Sequence, residues 1–181
     1  MSDYKTAVSI TLQHEGGFQD DPDDHANWSS GVKGVGTLVG TKYGITALDM
    51  PGVDIRNLTP EQATQFYSER YWKPSYSQIE NQHVANKLFD LGVLFGVGTV
   101  VRQMQIVLAP YFHLSVDGVW GTETLSAVNQ SDAPSLLEGF KAQMVRHSFE
   151  VATAKPEERK YLAGWGRRIN CADPVCTTHH G

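Results

Sequence analysis

Apolar residues at helical spacing recur on both flanks of one glycine-rich stretch, and that arrangement leaves few folds open to this chain. Residues 3–14 place Tyr4, Val8 and Leu12 on one stripe behind Ser2 or Asp3 as the cap, and Gly16-Gly17 stops the helix. Thr59-Pro60-Glu61-Gln62 is a second helix start, with Thr as N-cap, Pro at the first helical position and Gln62 closing a capping box. That helix carries Ala63, Phe66, Tyr67 and Arg70 towards Trp72, and Pro74 ends it. Further helices are expected near 81–92, near 98–108 with Val97, Val101, Met104 and Leu108 on one face, at 122–128, and over 134–153 with Leu137, Phe140, Met144 and Val151. Between the first two helices, residues 18–46 are rich in turn formers, and Gly31–Thr46 reads as a β-hairpin or a long loop. The expectation is a mainly α chain with a small β-hairpin in its N-terminal lobe. It divides into lobes at 1–92 and 93–170, followed by a tail at 171–181.

Composition narrows the function classes. With 181 residues, 40% hydrophobic and 19% charged, the chain can bury a real core. No apolar run approaches the roughly 20 residues that span a bilayer, so no membrane insertion is expected. Met1-Ser2-Asp3-Tyr4-Lys5 lacks the basic and apolar regions of a signal peptide, which points to synthesis in the cytosol. A net charge of −5 argues against nucleic acid as a partner. The charge is uneven, however, and residues 138–170 carry seven bases against four acids. That surplus suits an anionic polymer, or is the solvated surface of a helix. The two cysteines, Cys171 and Cys176, are too few for a disulfide framework. With His179 and His180 they form either a metal site of non-standard spacing or part of a loose tail.

The first helix ends on an anomaly. Its stripe runs through positions 4, 8 and 12, and the next core-facing position is Glu15 where a hydrophobe is expected. Partial desolvation and the negative end of the helix dipole both oppose ionisation there. A general acid for glycosidic cleavage needs such a setting, because it must hold its proton until the leaving oxygen takes it. The plainer reading is an exposed last residue before a capping glycine. Asp24, nine positions on, and Thr41 supply complementary chemistry, holding and activating a water on the opposite face of the sugar. The run Asp20-Asp21-Pro22-Asp23-Asp24 is otherwise a solvated turn or a weak calcium loop, without EF-hand spacing. Tyr43 and Trp72 are sugar platforms or core aromatics. The histidines are scattered, and nothing matches the HExxH zinc motif.

In order along the chain, Glu15-Gly16-Gly17-Phe18, Asp21-Pro22 with Asp24, and Thr41 to Thr46 resemble the EGGY…DP.D…T.YGI signature of glycoside hydrolase family 108. These are N-acetylmuramidases of the lysozyme-like superfamily, phage endolysins among them. The resemblance continues through Tyr71-Trp72 and Phe89-Asp90. Val116-Asp117-Gly118-Val119-Trp120-Gly121-Thr122 resembles a VDG.iG..T motif of the C-terminal peptidoglycan-binding region, and Gly164-Trp165 with Arg167-Arg168 resembles a closing GW..R element.

The resemblance implies a lysozyme-like helical fold and hydrolysis of the β-1,4 bond between N-acetylmuramic acid and N-acetylglucosamine. Glu15 is then the essential acid, and Asp24 and Thr41 position the water with inversion, while Asp90 either orients substrate or caps a helix. Neither cofactor nor metal is implied. The expected enzyme is a monomeric endolysin made in the host cytoplasm, reaching the wall through holin-type membrane permeabilisation. Two departures stand out. An insert, His25 to Gly40, separates Asp24 from Thr41, and its Trp28 either stacks on a sugar or packs inward. Leu94 stands where the family has Asn after Asp90. A lytic transglycosylase on the same bond and a non-catalytic wall-binding virion protein are the alternative readings, with an amidase or endopeptidase as a third.

Overall fold

The computed structural model describes residues 1–171, and it is mainly α with one small antiparallel sheet. Its elements are α1 (Tyr4–Glu15), β1 (Phe18–Gln19), β2 (Thr41–Lys42), α2 (Pro60–Tyr71), α3 (Gln82–Phe95), α4 (Val97–Phe112), α5 (Thr122–Gln130), α6 (Ala133–Ala154) and α7 (Leu162–Asn170), with three short 3₁₀ turns between them. They form two compact units, Thr11–Arg70 and the remainder. No described helix is long and apolar enough to cross a membrane.

Of the two cap candidates for α1, Asp3 does the work. Its Oδ2 accepts from the Thr6 backbone N–H at 2.9 Å, and that bond holds its carboxyl below the usual carboxylate range. Ser2 instead donates its hydroxyl to Ile79 O at 2.7 Å. The buried stripe of α1 is also turned by one residue from the expected phase: Ala7, Val8 and Thr11 are buried, while Leu12 is half-exposed.

In Thr11–Arg70 the buried apolar residues are few: Ile45, Ile55, Leu58, Ala63 and Tyr67. The capping box of α2 forms as its sequence dictates, with Thr59 N–H donating to Gln62 Oε1 at 2.9 Å and Gln62 N–H to Thr59 Oγ1 at 3.2 Å. The β structure differs from a hairpin folded within 31–46. β2 pairs with β1, in the register Phe18↔Lys42 and Gln19↔Thr41. The stretch between is a long loop, joined by a bridge of Trp28 with Leu38 and by Ser29 N–H on Thr37 O at 2.9 Å. A self-contained hairpin needs alternating buried residues, and here Val32 and Val35 are both exposed. Trp28 fixes the loop by donating its indole N–H to Pro22 O at 3.0 Å.

The other unit is a helical core. Leu88 and Leu91 of α3, Val100, Met104 and Leu108 of α4, Ala127 and Val128 of α5, Phe140 and Met144 of α6 and Ile169 of α7 form one apolar cluster. Two polar networks sit inside this unit. Gln105, 2% exposed, places its Nε2 3.0 Å from Asp117 Oδ1 and 3.1 Å from Thr124 Oγ1, and its Oε1 accepts from Gly118 N–H at 2.8 Å. Gly118 has φ +77, and a Cβ there would lie 2.7 Å from Gly98 O. The VDG turn is therefore a packing device that seats backbone on backbone. In the second network Arg168 grips both oxygens of Asp90, at 3.0 Å from Nη2 and 3.2 Å from Nε, while Lys87 Nζ donates to Arg168 O at 3.1 Å. Cys171 is buried at the end of α7. The metal-site and loose-tail readings of Cys176, His179 and His180 fall outside the described residues.

Candidate active site

Glu15 is half-buried at the C-terminal end of α1. What it meets is set by a tight turn. Lys42 N–H donates to Ile45 O at 3.1 Å and Ile45 N–H to Lys42 O at 2.9 Å. Between them Tyr43 has φ +52 and Gly44 φ +68, the positive pair that a type I′ turn demands. A Cβ on Gly44 would lie 2.5 Å from Glu15 Oε2 and 3.0 Å from the Tyr67 hydroxyl. The backbone conformation favours glycine at this position, and the Glu15 carboxylate lies close against it. Tyr67, buried on α2, donates its hydroxyl to Tyr43 O at 2.6 Å and so ties the turn to the helix. The Lys-Tyr-Gly-Ile string of the sequence is, physically, the seat of Glu15.

The four acids at 20–24 are sorted by their partners. Asp20 pairs with Arg56 at 2.8 Å and Asp23 with Lys33 at 2.6 Å, the latter bond holding Asp23 below the usual carboxylate range. Asp21 Oδ1 accepts from Asp23 N–H at 2.9 Å, an Asx turn. Asp24 receives neutral donors: Ala26 N–H on Oδ1 at 2.9 Å, as the cap of the His25–Asn27 turn, and Gln19 Nε2 on Oδ2 at 3.2 Å. Gln19 lies opposite Thr41 in the strand register, so their side chains share one face of the pair. The Thr41 hydroxyl is buried without a hydrogen-bond partner among the described residues, and so is Asn27 Oδ1. Leaving such a group unpaired costs about 1–3 kcal/mol.

Five of the seven residues singled out in the sequence (Glu15, Asp24, Trp28, Thr41 and Tyr43) belong to Thr11–Arg70, whereas Trp72 and Asp90 belong to the other unit. Trp72 is half-buried in an aromatic cluster, with ring centroids 5.2 Å from Tyr4, 5.6 Å from Tyr76 and 5.7 Å from Phe89. Asp90 lies on α3. It is 1% exposed, and its carboxylate is taken up by Arg168, so the Phe89-Asp90 segment and the closing GW..R element are two halves of one ion pair. Trp165 of the same element packs on Phe95 at 5.4 Å. Residues that the sequence did not single out complete the site: Gln19 and Asn27 around Asp24, and Tyr67 behind the turn. Tyr67 carried a signal, its place on the buried face of α2. Polar Gln19 and Asn27, in a turn-rich stretch, carried none. Among the described residues no group of three or more His, Cys, Asp or Glu is gathered to hold a metal ion.

Residues 8–96 match the family model described as Glycosyl hydrolase 108, and residues 99–170 match a Predicted Peptidoglycan domain. No curated protein matches the chain. Among solved structures, that of Brucella abortus SagA aligns with a TM-score of 0.60 at 21% identity, covering 91% of this chain and 95% of that one. At that identity the likeness speaks for the fold.

Proposed function

Given a chain that belongs to glycosyl hydrolase family 108 through residues 8–96 and carries a peptidoglycan domain over 99–170, we propose that this peptidoglycan hydrolase cleaves the β-1,4 bond between N-acetylmuramic acid and N-acetylglucosamine, with Glu15 as the general acid. The observation that carries this reading is the seating of the Glu15 carboxylate on Gly44, inside a turn pinned by Tyr67. A carboxyl at the end of a helix, beside a glycine that puts no side chain against it, is suited to meeting a sugar oxygen.

In the proposed mechanism Glu15 gives its proton to the glycosidic oxygen as the C1–O bond breaks. A water, losing its proton to Asp24, attacks C1 from the opposite face and inverts the anomeric centre. Two amide donors orient Asp24 and leave it lone pairs for that water. The unpaired Thr41 hydroxyl is the second hydrogen-bonding group for the same water. Tyr43 and Trp28 supply aromatic faces for the pyranose rings. Residues 1–92 act as the catalytic lobe and 93–170 as the wall-binding lobe. In the cell the enzyme acts as a phage endolysin that lyses its host after a holin-type lesion opens the membrane.

The test is the chemistry of the ends it makes. Purified peptidoglycan digested with the enzyme is expected to give muropeptides with reducing N-acetylmuramic acid ends, each heavier by one water. Fragments ending in 1,6-anhydro sugars identify a lytic transglycosylase instead, and new amino groups without reducing ends identify an amidase or endopeptidase. Either result overturns the proposal.

A further inference from the structure

Asp24 is held through an amide that has only one way to face. Gln19 Oε1 accepts from Asn27 Nδ2 at 2.7 Å and from Asp21 N–H at 3.2 Å, and neither donor can act as an acceptor. Those two bonds fix the carboxamide so that Nε2 points at Asp24 Oδ2, 3.2 Å away. Asn27 is itself locked. It is fully buried, its Nδ2 also reaches Asp21 O at 2.9 Å, and its backbone oxygen accepts from Val39 and Gly40 N–H at 2.9 and 3.0 Å. The chain of contacts runs from a buried, doubly tied asparagine through a glutamine that cannot flip to one chosen oxygen of one carboxylate. Of the acids in the 20–24 run, Asp24 alone receives a side-chain amide in this way; Asp20 and Asp23 have exposed cations as partners.

We propose that Gln19 is a positioning residue for the water-activating carboxylate, and that Asn27 is the buried lock that sets its amide orientation. The inference rests on the assignment of Asp24 as the base. Gln19 acts in three ways. It presents an N–H to Oδ2, it fixes the plane of the carboxylate, and it does so without a positive charge that would weaken Asp24 as a base. Asn27 contributes by excluding the flipped Gln19, which would turn an oxygen towards the carboxylate.

Gln19→Glu is the sharpest probe. It keeps size and shape and keeps the acceptor for Asn27 and Asp21, but replaces the donor to Asp24 with a second oxygen. Gln19→Leu removes the amide altogether, and Asp24→Asn and the double variant Gln19→Glu/Asp24→Asn complete a cycle. Steady-state kinetics of the full chain on purified soluble peptidoglycan fragments give the readout, with thermal unfolding in parallel. Gln19→Glu and Gln19→Leu are expected to lower kcat by about 10- to 100-fold, the scale of a slightly misplaced catalytic group, with KM changed less than about twofold. On the Asp24→Asn background Gln19→Glu is expected to cost no further activity. The stability that Gln19→Glu loses alone should return in the double variant, because the introduced amide can donate to the introduced carboxylate. Two outcomes overturn the proposal while leaving Asp24 as the base: the full kcat loss persisting on the Asp24→Asn background, or a rise in KM at constant kcat. If Asp24→Asn itself keeps wild-type kcat, the base assignment fails and the proposal falls with it.

Discussion

From Tyr71 onward, five helices share one apolar cluster in which Leu88, Leu91, Val100, Met104, Phe140 and Met144 are at most 1% exposed. Between Thr11 and Arg70 two strands of two residues each stand beside long loops, and order comes from individual hydrogen bonds: Tyr67 to Tyr43, Gln19 to Asp24, Asn27 to Gln19, Trp28 to Pro22. The contrast shows how stability and chemistry are divided. A helical core draws on many interchangeable contacts, so its members report on folding. A turn scaffold draws on single polar groups with one geometry each, so its members report on the placement of catalytic atoms.

Substitutions separate the two kinds of region. Phe140→Ala, in the middle of the helical cluster, should cost about 4 kcal/mol in urea unfolding, the range for a deleted buried aromatic. Turnover per folded molecule should hardly change; a marked fall in kcat at full folding would erase the division. Asp90→Ala should follow, at about 3 kcal/mol, because it strands a largely buried Arg168. If it instead raised KM at unchanged stability, Asp90 would be a substrate ligand after all.

Gly44→Ala should reverse the pattern. The stability loss should be only about 1–2 kcal/mol, for a β-carbon at positive φ. The carboxylate that must move aside is Glu15, so kcat should drop about 100-fold. Equal losses in folding and turnover would show that the turn is only scaffold.

The smallest effect is expected at Asp132, the cap of α6. Hydrogen bonds from the Ser135 side chain and then its backbone N–H hold its carboxyl below the usual range. Its folded value is therefore below its unfolded one. The stabilisation is present above the unfolded value of about 3.9 and is lost as pH falls through the lowered folded value. Asp132→Ala should lower Tm slightly at pH 7, and the gap from wild type should close in acid. A gap that widens in acid would reverse the sign of this account.

Helices α1 to α6 were legible because their cause is local, whereas α7 was not among those expected. Apolar spacing, the Thr59–Gln62 box and the glycines after Glu15 each act within a few residues, and the observed ends lie close to those expected. Glu15 drew notice for the same reason, as a carboxylate where a stripe of hydrophobes was expected to continue. The phase of that stripe was less so. A fully buried Thr11 in place of Leu12 depends on what surrounds the helix rather than on the helix itself. The strand pair was illegible as such, because two-residue strands have no alternation to read and Gln19 meets Thr41 across the whole insert. The pairing of Asp90 with Arg168 was not legible, because the two lie 78 residues apart. The amides of Gln19 and Asn27 looked like ordinary turn residues, since only three-dimensional placement turns a polar side chain into a lock.

The central claim, that Glu15 is the proton donor, is tested most directly by Glu15→Gln, which keeps the shape of the side chain and removes the acidic proton. Reducing ends released from purified peptidoglycan are counted for wild type and variant, with Tm and wall binding measured on the same preparations. The account predicts a loss of turnover of about 1,000-fold, within the usual worth of general acid catalysis, at unchanged Tm and unchanged binding. A Glu15→Gln variant that releases reducing ends at the wild-type rate would contradict it.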